Sequence, residues 1–301
     1  MTATTTPLLT APLHIGLDEI VDLALHEDSG TGDVTTLATV PADRHARGTI
    51  LAKEAGVISG MDVARFVFAR VDNTITFEAL AADGDRVENR TDLARIAGPA
   101  SSLLLAERTA LNLMQRLSGI ATTAAQYVAA TAGTATQIVD TRKTTPGLRM
   151  LEKRAVQHGG ARNHRFGLAD GILIKDNHLA AIGGADRITK AIVAARDHAP
   201  HTLRVEIEVS TLAELDEALD AGADIILLDN METSMMREAV NRRNAAGSPA
   251  GSGAILEASG GITLERIPEI AATGVDLISV GALTHSAKAL DISLNLVINA
   301  E

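Results

Sequence analysis

Cysteine is absent from all 301 residues. Disulfides, thiolate metal sites and cysteine nucleophiles are therefore ruled out together. Tryptophan is missing too, and with one Tyr and four Phe the aromatics reach only 2%. A chain that is 46% hydrophobic can still bury a large core, but that core must be aliphatic. The same shortage removes the platforms on which single-stranded nucleic acid stacks. A net charge of −11 also repels phosphate backbones, so no nucleic-acid partner is expected. No apolar run reaches bilayer-spanning length, and residues 1–12, MTATTTPLLTAP, carry neither a basic start nor a long apolar stretch. The expectation is a soluble cytoplasmic protein with no membrane partner.

What is present falls into two unlike halves. Residues 1–12 read as a loose tail, and 17–26 have helical periodicity that the polar run 27–33 ends. Three β-like runs follow, at 48–53, 74–78 and 92–97, with a helix at 62–71. Asp83-Gly84 suggests a hairpin turn among them. A long helical stretch at 103–130 carries a predicted break at Ser118-Gly119. Beyond it, apolar runs at 136–140, 171–175, 204–210, 224–229, 254–259 and 276–280 alternate with helical segments at 187–197, 212–220, 234–241 and 264–273. Such alternation predicts a parallel sheet covered by helices: a (β/α) barrel, whole or incomplete, or a doubly wound open sheet. The run 292–298 has no helix after it and is expected to return to the first domain. The predicted division is a tail at 1–12, an N-terminal α/β domain at 13–120, a barrel at 121–288 and a returning segment at 289–301.

Almost every run of the second half ends in residues with chemical use, polar side chains or bare glycines. They are Asp140-Thr141-Arg142-Lys143, Lys175-Asp176-Asn177-His178, Glu206-Ile207-Glu208-Val209-Ser210, Asp229-Asn230, Ser259-Gly260-Gly261 and Val280-Gly281-Ala282. In a barrel these ends share one rim, where active sites are built. The late glycines offer bare N–H groups near helix starts, which suits phosphate, although one glycine pair alone could simply form a turn. Between Asp140 and His178 eight cations face four acids, so this segment is +4 and the remainder −15. Arg142, Lys143 and Lys175 end strands and suit an anionic substrate. Arg149, Lys153 and Arg154 have the alternative of a solvated basic surface. His158, His164 and His178 lack a compact metal-ligand spacing. Glu208 and Asp229 can hold Mg²⁺ or sugar hydroxyls, or pair with the lysines. Arg108 shares a helix stripe with Asn112 and Gln115, and its acidic neighbour Glu107 is expected to face elsewhere.

Taken in order, these pieces resemble the quinolinate phosphoribosyltransferase (carboxylating nicotinate-nucleotide pyrophosphorylase) family. The resemblance rests on Glu107-Arg108-Thr109-Ala110-Leu111-Asn112, on residues 115–122, on residues 140–149, on His164-Arg165 and on Ile174-Lys175-Asp176-Asn177-His178. Glu206-Ile207-Glu208-Val209, Leu228-Asp229-Asn230 and Glu257-Ala258-Ser259-Gly260-Gly261-Ile262 continue it, with 242–253 as a slightly enlarged loop. It implies a small N-terminal α+β open-sandwich domain and an incomplete, roughly seven-stranded (β/α) barrel. The implied reaction transfers the phosphoribosyl group of phosphoribosyl pyrophosphate to quinolinate with decarboxylation, for NAD biosynthesis. Nicotinate mononucleotide, pyrophosphate and carbon dioxide would be the products, with Mg²⁺ and no organic cofactor. Quinolinate would be held by Arg108, Thr141, Arg142, Lys143, His164, Arg165 and Lys175. The sugar phosphate would be held by Glu208, Asp229, Ser259, Gly260, Gly261, Val280, Gly281 and Ala282. Glu208 and Asp229 would hold the metal, directly or through water, and act with Lys143 and Lys175 in catalysis. A homodimer or higher oligomer is implied, with Arg108 reaching the partner's barrel. The rivals are a Schiff-base aldolase using Lys175 and a transport-linked paralogue that binds phosphoribosyl compounds without turnover.

Overall fold

A computed structural model describes residues 16–245 and 253–298. The first part comprises α1 (Leu17–Ser29), α2 (Val34–Thr39), β1 (His45–Ala52), β2 (Gly56–Val57), α3 (Met61–Val71), β3 (Thr76–Ala79), β4 (Arg86–Val87), β5 (Asp92–Pro99) and α4 (Ala100–Ala130). The second runs through β6 (Gln137–Val139), α5 (Arg149–His158), β7 (Ile172–Ile174), α6 (Asp176–Ile182), α7 (Arg187–His198), β8 (Val205–Val209) and α8 (Leu212–Asp220). It continues with β9 (Ile225–Asp229), α9 (Thr233–Ala245), β10 (Ile255–Ser259), α10 (Ile267–Ala271), β11 (Leu277–Ser279) and α11 (Ala282–His285), and β12 (Ile292–Ile298) closes the described chain. The expected tail at 1–12 lies outside the described residues, as do 246–252 of the expected loop at 242–253. Residues 242–245 of that loop belong to α9.

The parallel sheet has the order β6-β11-β10-β9-β8-β7. From β7 to β11 each strand lies beside its successor, and the first strand pairs with the last. A doubly wound sheet would place its first strand in the interior. The order is that of a barrel open along one seam, between β6 and β7. Residues 161–165 run beside β6 at that seam: Arg162 N donates to Ile138 O at 2.9 Å, and Asp140 N to Arg162 O at 3.1 Å. Six strands and this bridged segment make the incomplete barrel.

The N-terminal sheet is antiparallel, in the order β12-β1-β5-β3. The returning strand β12 pairs with β1 from Ala46 opposite Ile298 to Ala52 opposite Ile292. Asp83-Gly84 forms a turn but not a hairpin, because β3 pairs with β5 whereas β4 pairs with β2. The Asp83 carboxylate accepts from Met61 N at 2.9 Å, so this turn caps α3 instead of joining two paired strands.

The 31-residue α4 spans both parts without the predicted break. Ser118 Oγ accepts from Ser59 N and donates to Ser59 O, each at 3.0 Å. At Gly119 the returning chain crosses so closely that a methyl group would sit on the Lys288 carbonyl. Gln115 fastens the same crossing, donating to Ile292 O at 2.7 Å. Small residues here permit a close approach, and the helix continues because its apolar stripe is buried on both sides of them.

Candidate active site

The strand ends surround a cavity of about 160 Å³ lined by Thr141, Arg142, Lys143, His164, Arg165, Lys175 and Ser259, with Leu173, Leu227, Glu257 and Ser279 deeper in the barrel. Among the described residues, Arg142, Lys143 and Arg165 make no ion pair. Burial, and then the Arg142 charge, pull Arg165 below the ordinary arginine range. Like charges crowded in this way are relieved by an anion. Lys175 is tied to Glu208, Nζ to Oε2 at 2.8 Å, at the half-exposed rim.

The loop after β6 is held from several sides. Arg149 donates to Thr144 Oγ1 and Phe166 O, each at 3.0 Å, and to Arg142 O at 3.5 Å. Arg116 pairs with the buried Glu152 at 2.9 Å, and Glu152 Oε2 accepts from Thr145 N at 3.0 Å. Thr284 Oγ1 donates to Lys143 O at 2.9 Å. The presentation of Arg142 and Lys143 is therefore set by α4, α5 and the start of α11.

The solvated-surface alternative fails for all three cations of α5. Lys153 is 0% exposed and bonded to the equally buried Asp140, and its Nζ also donates to His164 O at 3.0 Å. Burial lowers the Lys153 pKa and raises that of Asp140, and their mutual bond opposes both shifts. Arg154 pairs with Asp62 and, at 3.6 Å, with Asp83 of the N-terminal part. Arg149 braces the loop as described. Three unabsorbed cations line the cavity, Arg142, Lys143 and Arg165, beside Lys175, which is paired with Glu208.

Below them lies a cluster that spacing did not reveal. His164 Nε2 is 3.1 Å from Glu206 Oε2 and 3.7 Å from Glu257 Oε2, while its Nδ1 accepts from Arg165 N at 2.7 Å. Neither oxygen of Glu257 has a hydrogen-bond partner, although the residue is 1% exposed. Burial, and then the Glu206 charge, push the Glu257 carboxyl up to about 7. Burial opposes protonation of His164, but its bond to Glu206 and the two carboxylate charges outweigh that and raise its pKa.

Two acidic sets could take a cation. Glu208 and Asp229 line a 480 Å³ cleft with Asp176, Ser210 and Glu214. Oxygen donors with room for retained water suit Mg²⁺. His164, Glu206 and Glu257 offer atoms within 4.8 Å of one another, but a nitrogen donor in a buried cluster suits that ion less well. Beside the cleft, Asn230 takes a positive φ of 52°, and its amide donates to Asp229 Oδ2 at 2.9 Å. The Ser259-Gly260-Gly261 turn packs on it, with φ of 85° and 58° at the glycines, and a methyl group at Gly260 would meet the Asn230 side chain. At Gly281 a methyl group would lie 2.9 Å from Lys143 Cδ. The glycine-bearing rim thus touches Asn230, which is bonded to Asp229, and Lys143.

Models of the N- and C-terminal domains of quinolinate phosphoribosyl transferase match residues 33–118 and 120–295. The chain belongs to the quinolinate phosphoribosyltransferase family. It is 43% identical over 288 residues to the probable carboxylating nicotinate-nucleotide pyrophosphorylase of Bacillus subtilis (strain 168), covering 96% of each chain. The carboxylating nicotinate-nucleotide pyrophosphorylase of Mycobacterium leprae (strain TN) is 46% identical, with 91% of this chain and 94% of that one covered. The crystal structure of NadC from Streptococcus pyogenes superposes with a TM-score of 0.87 at 42% identity, over 94% and 97% of the two chains.

Of the residues singled out by resemblance to this family, Thr141, Arg142, Lys143, His164, Arg165, Lys175 and Ser259 line the cavity, and Glu208 and Asp229 line the adjoining cleft. Arg108 lines neither. Its side chain is 57% exposed, and it lies 3.9 Å from Glu107, which therefore does not face elsewhere. Glu206 and Glu257 fall within motifs of the resemblance that imply no role for them. The available signal was a glutamate inside each apolar strand run, where a charge has no ordinary place.

Proposed function

We propose that this protein joins quinolinate to phosphoribosyl pyrophosphate, yielding nicotinate mononucleotide, pyrophosphate and carbon dioxide, a pentosyl transfer of NAD biosynthesis. The observation that carries the reading is the convergence of Arg142, Lys143, Arg165 and Lys175 on one small cavity beside an acidic cleft. Quinolinate carries two carboxylates, and paired arginines grip carboxylates through two parallel hydrogen bonds. In this reading Thr141, Arg142, Lys143, His164, Arg165 and Lys175 hold quinolinate, and Lys143 also faces the pyrophosphate. Ser259, Gly260, Gly261, Val280, Gly281 and Ala282 cradle the 5-phosphate.

Held in this way, the pyridine nitrogen attacks the ribose C1 as pyrophosphate leaves. Positioning and the surrounding cations supply much of the acceleration. The alkylated nitrogen is then a positive electron sink beside the C2 carboxylate, which departs as carbon dioxide. Glu208 and Asp229 are the residues that would hold Mg²⁺ and ribose hydroxyls, the ion supplying charge neutralisation for the pyrophosphate. The aldolase alternative calls for a lysine in an apolar pocket, whereas Lys175 is ion-paired and half-exposed.

Arg108 completes the site from a partner subunit in this reading, within a homodimer or an assembly of dimers. Its exposure and its absence from the lining of its own cavity support that role. The division at 13–120, 121–288 and 289–301 belongs to the same proposal, supported by the pairing of β12 with β1. A cytoplasmic location is proposed as well, supported by the absence, among the described residues, of any helix long and apolar enough to cross a membrane.

One assay tests the function. Quinolinate and phosphoribosyl pyrophosphate with Mg²⁺ should yield nicotinate mononucleotide, and nicotinate in place of quinolinate should not. Losing the second carboxylate leaves a cation that faces the bound substrate unpaired, a discrimination of about 10⁴ by analogy with other polar sites. Comparable turnover of nicotinate would refute the reading.

A further inference from the structure

Loss of carbon dioxide leaves an electron pair on C2 of the pyridinium ring, and the reaction is complete only when C2 gains a proton. We propose that Glu257 is the acid that gives it, an assignment that rests on the function proposed above. Glu257 reaches the cavity from β10 and is buried, and both its oxygens lack a hydrogen-bond partner. A buried carboxylate without donors is strongly disfavoured, whereas a buried carboxylic acid is tolerated and carries a proton to give.

The surroundings favour the same state. Glu206 on β8 repels a charge on Glu257, as would a bound dianionic substrate. The groups facing it otherwise are His164 of the seam segment, Lys175 after β7, Arg142 and Lys143 after β6, and Arg165. Those cations are committed to holding anions, and Lys175 is already bonded to Glu208. β9 contributes Leu227 and β11 the Ser279 hydroxyl, which, like the His164 charge, favours the carboxylate but only partly offsets burial.

The step balances as follows. The C2–carboxylate bond breaks with its electron pair left on C2, and carbon dioxide departs. The O–H bond of Glu257 then breaks as the C2–H bond forms, leaving Glu257 as a carboxylate. His164 Nε2, 3.7 Å away, stabilises that carboxylate when protonated and returns the proton, itself replenished from solvent. One solvent proton is consumed per turnover, and no further reactant is needed.

The test uses the full-length protein and E257Q, which keeps the shape and removes the acid. Calorimetry should show quinolinate binding within about threefold of wild type, while kcat falls about 10²–10⁴-fold, the usual loss on removing a general acid. In the wild type, the rate of C2 protonation, read as nicotinate mononucleotide formed in a single turnover, should fall as pH rises above about 7. A lysine donor would hold that rate level to about pH 9. An active wild type whose E257Q variant keeps kcat within about fivefold overturns the proposal but not the function. Loss of quinolinate binding together with kcat overturns it too, because Glu257 would then serve binding. Should E257Q fail to fold, the wild-type profile decides alone: a level rate to about pH 9 overturns the assignment. A wild type that makes no nicotinate mononucleotide overturns both readings.

Discussion

The seam segment 161–165 has a buried charged cluster on each side, and the two are built on opposite principles. On one side, Asp140 receives Lys153, the His164 N–H at 2.8 Å and the Asn163 amide at 2.6 Å. On the other, neither Glu257 oxygen has a partner within hydrogen-bond distance, the Ser279 hydroxyl exerts only a weak pull, and Glu206 and His164 lie close by. Burial disfavours the charged form in both clusters. Only the first supplies enough donors to keep its carboxylate in place as an anion. The first is a structural pin, holding the residue that precedes Arg165 by its backbone. The second is poised to change protonation state. Two buried acids in one barrel are thus told apart by counting their donors, and burial alone does not separate them.

Breaking the pin should have the largest effect. K153M leaves Asp140 buried and unpaired, which costs about 3–5 kcal/mol and lowers the melting temperature by on the order of 10 °C. Adding D140N should return part of that loss in the same melting experiment. E257Q should act in the opposite direction and stabilise the fold by about 1–3 kcal/mol at pH 8. The sign follows from the folded pKa of about 7, raised above the ordinary value of 4.5. The folded state holds this proton more tightly, so the wild type loses stability relative to E257Q as pH rises from about 4.5 to about 7. Denaturant melts at pH 4.5 and pH 8 measure the difference, and equal gains at both would dissolve the contrast. The smallest change is N163A, which removes one of the donors to Asp140. It should cost about 1–2 kcal/mol, and quinolinate affinity should change little.

The rim was legible in the sequence because buried parallel strands are apolar runs whose ends must turn polar, so Arg142, Lys175, Asp229 and Ser259 stood out at their boundaries. The sequential strand order was legible only as alternation. The pairing of β6 with β11, which makes the sheet a barrel, depends on contacts far apart in the chain. Ser118-Gly119 read as a break because glycine weakens a helix locally, and nothing nearby in sequence announces the Lys288 carbonyl that requires it. Lys153 read as a surface cation for a related reason. Its partner Asp140 lies thirteen positions away, just past the end of β6 and beyond any helical spacing. Glu206 and Glu257 were visible as charges within apolar runs, but which of them would lack donors is a property of packing.

The pairing of β12 with β1 bears on how the chain comes into being. During synthesis β1 emerges early, whereas its partner from Ile292 to Ile298 emerges after the whole barrel. Until then β1 has only β5 beside it and presents an open edge of unpaired N–H and C=O groups. At ordinary elongation rates of about 5–20 residues per second, that edge stays open for roughly ten seconds or more. The edge can close only by joining segments at opposite ends of the chain, a non-local and intrinsically slow event. Nascent chains stalled shortly before Ile292 should therefore be the forms most in need of a chaperone that shields strand edges.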